Sequence, residues 1–297
     1  MLIFEIASFL HPSYELLDDF GVVVKNVSPS RFSFLTSMRI ATACKQQQPD
    51  VIFTHDVKNS IAAISSRKIS NTKDSGRHVP IVLYVHNGTA LPHSIPTDVV
   101  EGLDAIVFET LDEQQRWTKV RNIELLKNTT VIPYPGPSSE LPKKTSKEKS
   151  SKPKLGYVGP IDKGKTLAEM LEKIASLESE KQPEIIVAGT TKARYIMPVV
   201  KRARANKLDV KWLGDEYIED DVLSEIEGFI PSSSALSMTE KRLLANGIPE
   251  VFSEKLHDWL DVEKREKMAG EAVTKYDESY TPNLFVERFR TLVGNIK

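Results

Sequence analysis

Short apolar runs, each closed by a polar or glycine turn and most followed by a helical pattern, recur along the whole chain. Leu2 to Ile6, Gly21 to Val27, Val51 to Thr54, Val79 to Val85, Leu103 to Phe108 and Thr129 to Pro133 are the runs of the first half. Leu155 to Val158, Glu184 to Gly189, Val210 to Leu213, Gly228 to Ile230 and Ile248 to Phe252 continue the series. Between them lie helical spacings. Phe34, Met38 and Ala41 stand at i, i+4 and i+7. Val57 to about Arg67 forms another helix, with Asp56 placed to cap it, and a further one starts near Asp112. Leu167, Met170, Leu171, Ile174 and Leu177 make one apolar face, and Phe285, Phe289, Leu292 and Val293 make the last. Pro198 is expected in the first turn of its helix, and Asn246-Gly247 is expected to close the helix from Met238 to Ala245. Strands this short and apolar, alternating with helices, predict parallel sheets covered on both faces.

The series breaks once. Pro142 to Lys152 has no apolar residue beyond its proline. The expected division is a domain over 1–137, a flexible linker over 138–154 and a second domain over 155–280. A terminal helix over 281–297 is free to pack back on the first domain. With 297 residues, 40% of them hydrophobic, the chain can fill two cores. A net charge of −1 sets up no field that would draw it to nucleic acid. The basic face Lys201, Arg202, Arg204 and Lys207 carries no interleaved aromatic residues, so it reads as solvated surface. The lone Cys44 rules out an intramolecular disulfide and fits a reducing, cytoplasmic setting; it reads as a small core residue. Met1 to Ile6 has no basic segment and meets a charge at Glu5, which suits a first strand better than a leader. No apolar run approaches the ~20 residues that span a bilayer.

In parallel sheets ligands bind at the carboxyl ends of the strands. Here those ends carry His55-Asp56, His86-Asn87-Gly88 and Glu109-Thr110. The second half opens with Leu155 to Thr166, a strand, a glycine turn and a helix start. Such a junction aims backbone N–H groups and a helix dipole at one spot and suits a phosphate. Gly159, Gly164, Lys165 and Thr166 satisfy G-x-x-x-x-G-K-[ST], the P-loop pattern, so an NTPase using Mg²⁺ is one reading.

The same stretch also fits a family. Pro49 to Asp56 resembles the PDVIHxHD strand of the family 4 nucleotide-sugar glycosyltransferases, which have the GT-B fold. Pro80 to Asn87 resembles their PVVxTxH strand, Leu103 to Phe108 their ADxIIxxS and Val131-Ile132-Pro133 their VIPNG. Gly156 to Gly159 with Lys163-Gly164 resembles xxYVGR…EKG, and Val210 to Gly214 resembles VxFLG. Phe229 to Ser232 resembles xxPS, and Leu243 to Pro249 resembles EAMAxGxPV. These segments are spread over about two-thirds of the chain, and their order and spacing carry the resemblance.

The resemblance implies an α/β fold of two Rossmann-like domains around a central cleft, and transfer of a sugar, with retention, to a glycan, lipid or protein acceptor. It implies that the second domain binds the nucleotide-sugar through Gly159, Lys163, Gly164, Lys165, Gly189, Gly214, Glu240 and Arg242. His86 takes the position of the family's active-site histidine, with His55 and Asn87 on the acceptor side. No cofactor or metal is implied; Mg²⁺ enters only if the P-loop reading holds. A partner glycosyltransferase and a peripheral contact with the inner membrane face stay open. The sequence departs from the pattern in places. Pro160 replaces the family's arginine, and Ser8 to Pro12 stands where a glycine-rich turn belongs. Ser234 and Arg242 fall on the family's paired glutamates, with Glu240 two positions away. A catalytically degenerate relative, acting as a binding or partner subunit, is the alternative.

Overall fold

The computed structural model describes residues 1–6, 17, 19–29, 33–70, 78–86, 89–126, 128–137, 139–141, 152–159, 165–189, 193–214, 219–232 and 236–296. The chain divides into two compact units, Met1–Pro135 with Pro282–Lys297, and Gly136–Thr281.

The first unit holds strands β1 (Leu2–Ile6), β2 (Val23–Asn26), β3 (Val51–Thr54), β4 (Ile81–Val85), β5 (Ala105–Phe108) and β6 (Thr129–Val131). They form one sheet in the order β2-β1-β3-β4-β5-β6, with every pairing parallel. Its helices are α1 (Ser33–Gln47), α2 (Val57–Ser70), α3 (Thr97–Gly102), α4 (Leu111–Trp117) and, from the end of the chain, α11 (Pro282–Asn295). Side chains alternate along each strand, so the sheet has two buried faces. Phe4, Ile6, Ile52, Ile81, Leu83, Val85, Ile106 and Phe108 pack with α2 and α3 on one. Ile3, Val51, Phe53, Val82, Tyr84, Val107, Ile132 and Tyr134 pack with Phe285, Val286, Phe289 and Val293 of α11 on the other. Asp56 caps α2: its Oδ1 accepts the backbone N–H of Asn59 at 2.6 Å.

The second unit holds β7 (Lys154–Val158), β8 (Glu184–Ala188), β9 (Val210–Gly214) and β10 (Gly228–Phe229), ordered β10-β7-β8-β9 and again parallel. Helices α5 (Lys165–Ala175) and α6 (Ala193–Ala205) cover one face. On the other lie α7 (Glu219–Glu225), α8 (Met238–Ala245) and α10 (Val262–Ser279). The short α9 (Leu256–Leu260) buries Trp259.

Three sequence expectations are corrected. Phe34 and Met38 do not form the buried face of α1; they are 66% and 45% exposed. The helix turns Ser37, Ile40, Ala41 and Cys44 inward instead, a stripe in which all but Ile40 are small and let it lie close against α2. Pro198 lies inside α6 rather than in its first turn, because the helix already begins at Ala193. Ile248 to Phe252 makes no strand. It meets β10 only through a bridge between Phe229 and Glu250, since β10 offers two residues to pair with. Of the linker expected over 138–154, residues 138 and 142–151 lie outside the described residues. Among the described residues no helix is long and apolar enough to cross a membrane.

Candidate functional site

Each unit gathers functional groups at the carboxyl edge of its sheet. In the first unit strand parity does the gathering. Ile3, Phe53, Tyr84 and Val107 line the face under α11. Two residues further along the same strands stand Glu5, His55, His86 and Glu109, on that same face. Strands β1, β3, β4 and β5 are neighbours in that order, so these side chains fall in a row across the sheet. Glu5 Oε1 lies 2.6 Å from His55 Nε2. His55 Nδ1 lies 2.8 Å from His86 Nε2. His86 Nδ1 faces Glu109 Oε2 at 3.6 Å.

From Glu5 to His86 the row runs outward, and Glu109 beyond is 13% exposed. Side-chain exposure is 2% at Glu5, 15% at His55 and 28% at His86. Aromatic packing holds His86 in place. Its ring stacks on Tyr134 at 4.9 Å and 8° and leans on Tyr84 at 5.1 Å. Tyr134 in turn stacks on Phe285 of α11, and the Tyr84 hydroxyl donates to the Ile132 carbonyl at 2.5 Å. Thr89 ties down the turn after β4, donating its hydroxyl to the His86 carbonyl at 2.7 Å. Arg116 of α4 donates to the Thr89 carbonyl and to Glu113. Asn87, expected beside His86, lies outside the described residues.

Glu5 entered the sequence reading only as a charge that speaks against a leader. Its Oε2 is buried and, among the described residues, accepts no hydrogen bond. A carboxylate placed mid-strand between Phe4 and Ile6 was the signal that could have found it.

In the second unit the carboxyl edge is a row of glycines. Gly159, Gly189 and Gly214 follow β7, β8 and β9 with φ of 149°, 143° and 66°. A side chain at Gly189 would put its first carbon 1.9 Å from the carbonyl oxygen of Gly159. The Gly159 N–H donates to Ala188 at 3.0 Å, and the Gly189 N–H donates to Gly214 at 2.6 Å. At 159 and 189 glycine thus lets the turns after β7 and β8 and the loop after β10 pack closely, and the donors of those two residues serve the sheet. Helices α5 and α6 start just beyond, at Lys165 and Ala193, with their positive dipole ends at this edge. Lys163 and Gly164 lie outside the described residues, as does the side chain of Lys165.

Glu240 and Arg242 have internal duties. Glu240 is 1% exposed, and its two oxygens accept the backbone N–H groups of Ser232 and Ser237, each at 2.7 Å. Ser237 returns the bond, its hydroxyl accepting the Glu240 N–H at 3.2 Å, which completes a capping box at α8. Glu240 thus pins the loop after β10, whose Ser232 borders Gly159. Arg242 pairs with Asp220 at 2.5 Å and donates to the carbonyls of Ser139 and Glu140. Neither side chain joins the glycine row. Among the described residues no cluster of three or more histidine, cysteine or acidic side chains is arranged to hold a metal ion.

No family model and no curated protein matches the chain by sequence. Solved structures match it by fold. A lipopolysaccharide outer core galactosyltransferase, WaaB, in its apo form superposes with a TM-score of 0.62 at 12% identity, over 99% of this chain and 98% of its own. A UDP-forming α,α-trehalose-phosphate synthase from Burkholderia vietnamiensis gives 0.67 at 10% identity, over 99% of each chain. Anabaena Alr3699/HepE, in complex with UDP and glucose, gives 0.66 at 12%, also over 99% of each. The chain has the GT-B fold of these glycosyltransferases.

Proposed function

We propose that this chain is a glycosyltransferase that moves a sugar from a nucleotide-sugar to a glycan, lipid or protein acceptor, with retention at the anomeric carbon. The observation that carries the reading is the glycine row Gly159, Gly189 and Gly214. Among the described residues it presents backbone rather than side chains of its own where two helices begin, and a diphosphate needs such an edge to approach closely. Structural relatives that bind UDP and glucose on the same fold support it. In this reading Lys163 and the first turn of α5 balance the charge that grows on the departing nucleoside diphosphate. His86, the more exposed histidine of its row, is the catalytic residue beside the transferred sugar.

The test is thermal stabilisation of the purified protein by UDP-, GDP- and ADP-sugars without divalent metal, repeated on Lys163→Ala and Lys165→Ala. Stabilisation that Lys163→Ala loses and Lys165→Ala keeps supports the reading. Stabilisation only by ATP or GTP with Mg²⁺, lost in Lys165→Ala, transfers the site to the P-loop alternative.

A second reading has its own observation. Glu240 and Arg242 are committed to internal bonds rather than to a ligand. A degenerate relative serving as a binding or partner subunit would fold stably, show little nucleotide affinity and no turnover with any donor, and co-purify with a second protein.

A further inference from the structure

Glu5 is the least explained group in the first unit. A carboxylate sits almost wholly buried beside Phe53 and under α11, with one oxygen lacking a hydrogen bond among the described residues. A leucine would fill the same space without that penalty. The other oxygen makes one bond, to His55. What the carboxylate achieves is read along the row.

A carboxylate oxygen can only accept, so His55 Nε2 carries the proton in the 2.6 Å bond. In a neutral ring the other nitrogen, Nδ1, then carries the lone pair. The next bond, 2.8 Å long, joins that lone pair to His86 Nε2, which must therefore donate. The proton of His86 is thus placed on Nε2 by the 2.8 Å bond, against the pull of Glu109 Oε2, which lies 3.6 Å from Nδ1 and beyond hydrogen-bond distance. The two rings are stacked at 4.8 Å and 23°, and Tyr134 closes the far face of His86, so neither ring turns over easily.

We propose that Glu5 and His55 are positioning residues that fix His86 in its Nε2–H tautomer. The proposal rests on the reading of His86 as the catalytic histidine and adds the pair that sets which nitrogen it presents. A histidine held in one tautomer offers the same atom at each turnover, and the residue behind it does the holding without touching substrate. His86 faces His55, Tyr84, Tyr134 and Glu109, and of the two carboxylates the one at the end of the His55 chain is the more buried, 2% exposed against 13% at Glu109.

The test is ring ¹⁵N NMR on histidine-labelled protein together with steady-state kinetics. The variants are Glu5→Leu and the double variant Glu5→Leu/His55→Phe, which keeps a flat ring beside His86 and strands no carboxylate in the core. The wild-type His86 is expected to show a protonated Nε2 and an unprotonated Nδ1. Both variants are expected to average its two tautomers. They should lower kcat by about 10–100-fold and leave KM for the donor within about twofold. The double variant, which removes both partners of the buried pair, should melt no lower than the wild type, which separates loss of positioning from loss of fold. A wild-type His86 protonated on Nδ1, or a ¹⁵N pattern unchanged in Glu5→Leu, overturns the proposal. If the wild type transfers no sugar, the spectra alone decide the tautomer, and the missing turnover counts against the proposed function instead.

Discussion

His55 Nδ1 and His86 Nε2 meet at 2.8 Å, with the two rings stacked 4.8 Å apart. Adjacent parallel strands deliver them. The turn after β3 carries one, the turn after β4 carries the other, and the same side-chain parity aims both at the face under α11. The contact joins a core carboxylate to a ring that solvent can reach.

The role of His86 can be separated from that of the glycine row. His86→Ala is expected to lower transfer by at least about 10²-fold. Affinity for the nucleoside diphosphate alone should stay within about twofold, because the diphosphate is assigned to the second unit. Stability should fall by about 1–3 kcal/mol, from the lost stacking on Tyr134 and the lost bond to His55. Turnover assays, calorimetry and urea unfolding of the one variant check the three statements.

Two glycines of the row should respond differently to alanine. At Gly189 the new carbon meets the Gly159 carbonyl at 1.9 Å, while at Gly214 it meets nothing within 4 Å among the described residues. Gly189→Ala is expected to destabilise the protein by about 2–4 kcal/mol. Gly214→Ala should cost about 1–2 kcal/mol, the penalty of its φ of 66°. Equal effects in urea titrations would contradict the close packing of the turns after β7 and β8.

Glu240→Ala removes the acceptor of two backbone N–H groups, those of Ser232 and Ser237. A loss of about 2–4 kcal/mol is expected, since each bond is charge-assisted. Glu240→Gln keeps one acceptor oxygen and should lose roughly half as much. A variant of normal stability that fails only to bind the donor would return Glu240 to the ligand-gripping role the sequence suggested.

Burial pushes the Cys44 thiol up from 9.0 to about 11. At pH 8 the native protein should react with iodoacetamide about 100-fold more slowly than the unfolded chain. The sign for stability follows. The raised value favours the folded state fully below pH 9, and that contribution is lost as the pH climbs toward 11. Rapid native-state labelling would show that Cys44 is not held against the core of the first unit.

Much of the fold is legible in the sequence because it rests on local rules. The strand and helix alternation, the Asp56 cap, the Gly247 turn and the Phe285-to-Val293 face of α11 all follow from spacing and turn chemistry. The apolar face of α1 is not, because it depends on which neighbour the helix meets. Small side chains at Ser37 and Ala41 go inward, against α2, and Phe34 is left outside.

The site is legible in part. His55 and His86 stand out as residues after strands, yet their contact depends on β3 and β4 being neighbours, which sequence order alone does not fix. Glu5 comes into the row because β1 lies beside β3, across an intervening strand and helix in the sequence. The family motif points to Glu240 only by nearness, since Glu240 stands two positions off the motif's register. The local signal was better: Ser237 and Glu240 make the S-x-x-E spacing of a capping box, which the structure contains.

The central claim is that the glycine row receives a nucleotide-sugar, and amide NMR of the ¹⁵N-labelled protein tests it most directly. Adding UDP-glucose in EDTA is expected to move the amide signals of Gly159, Gly189 and Gly214 and of the first turn of α5, with the same residues moved by UDP. Signals that stay put with UDP-, GDP- and ADP-sugars alike would contradict it.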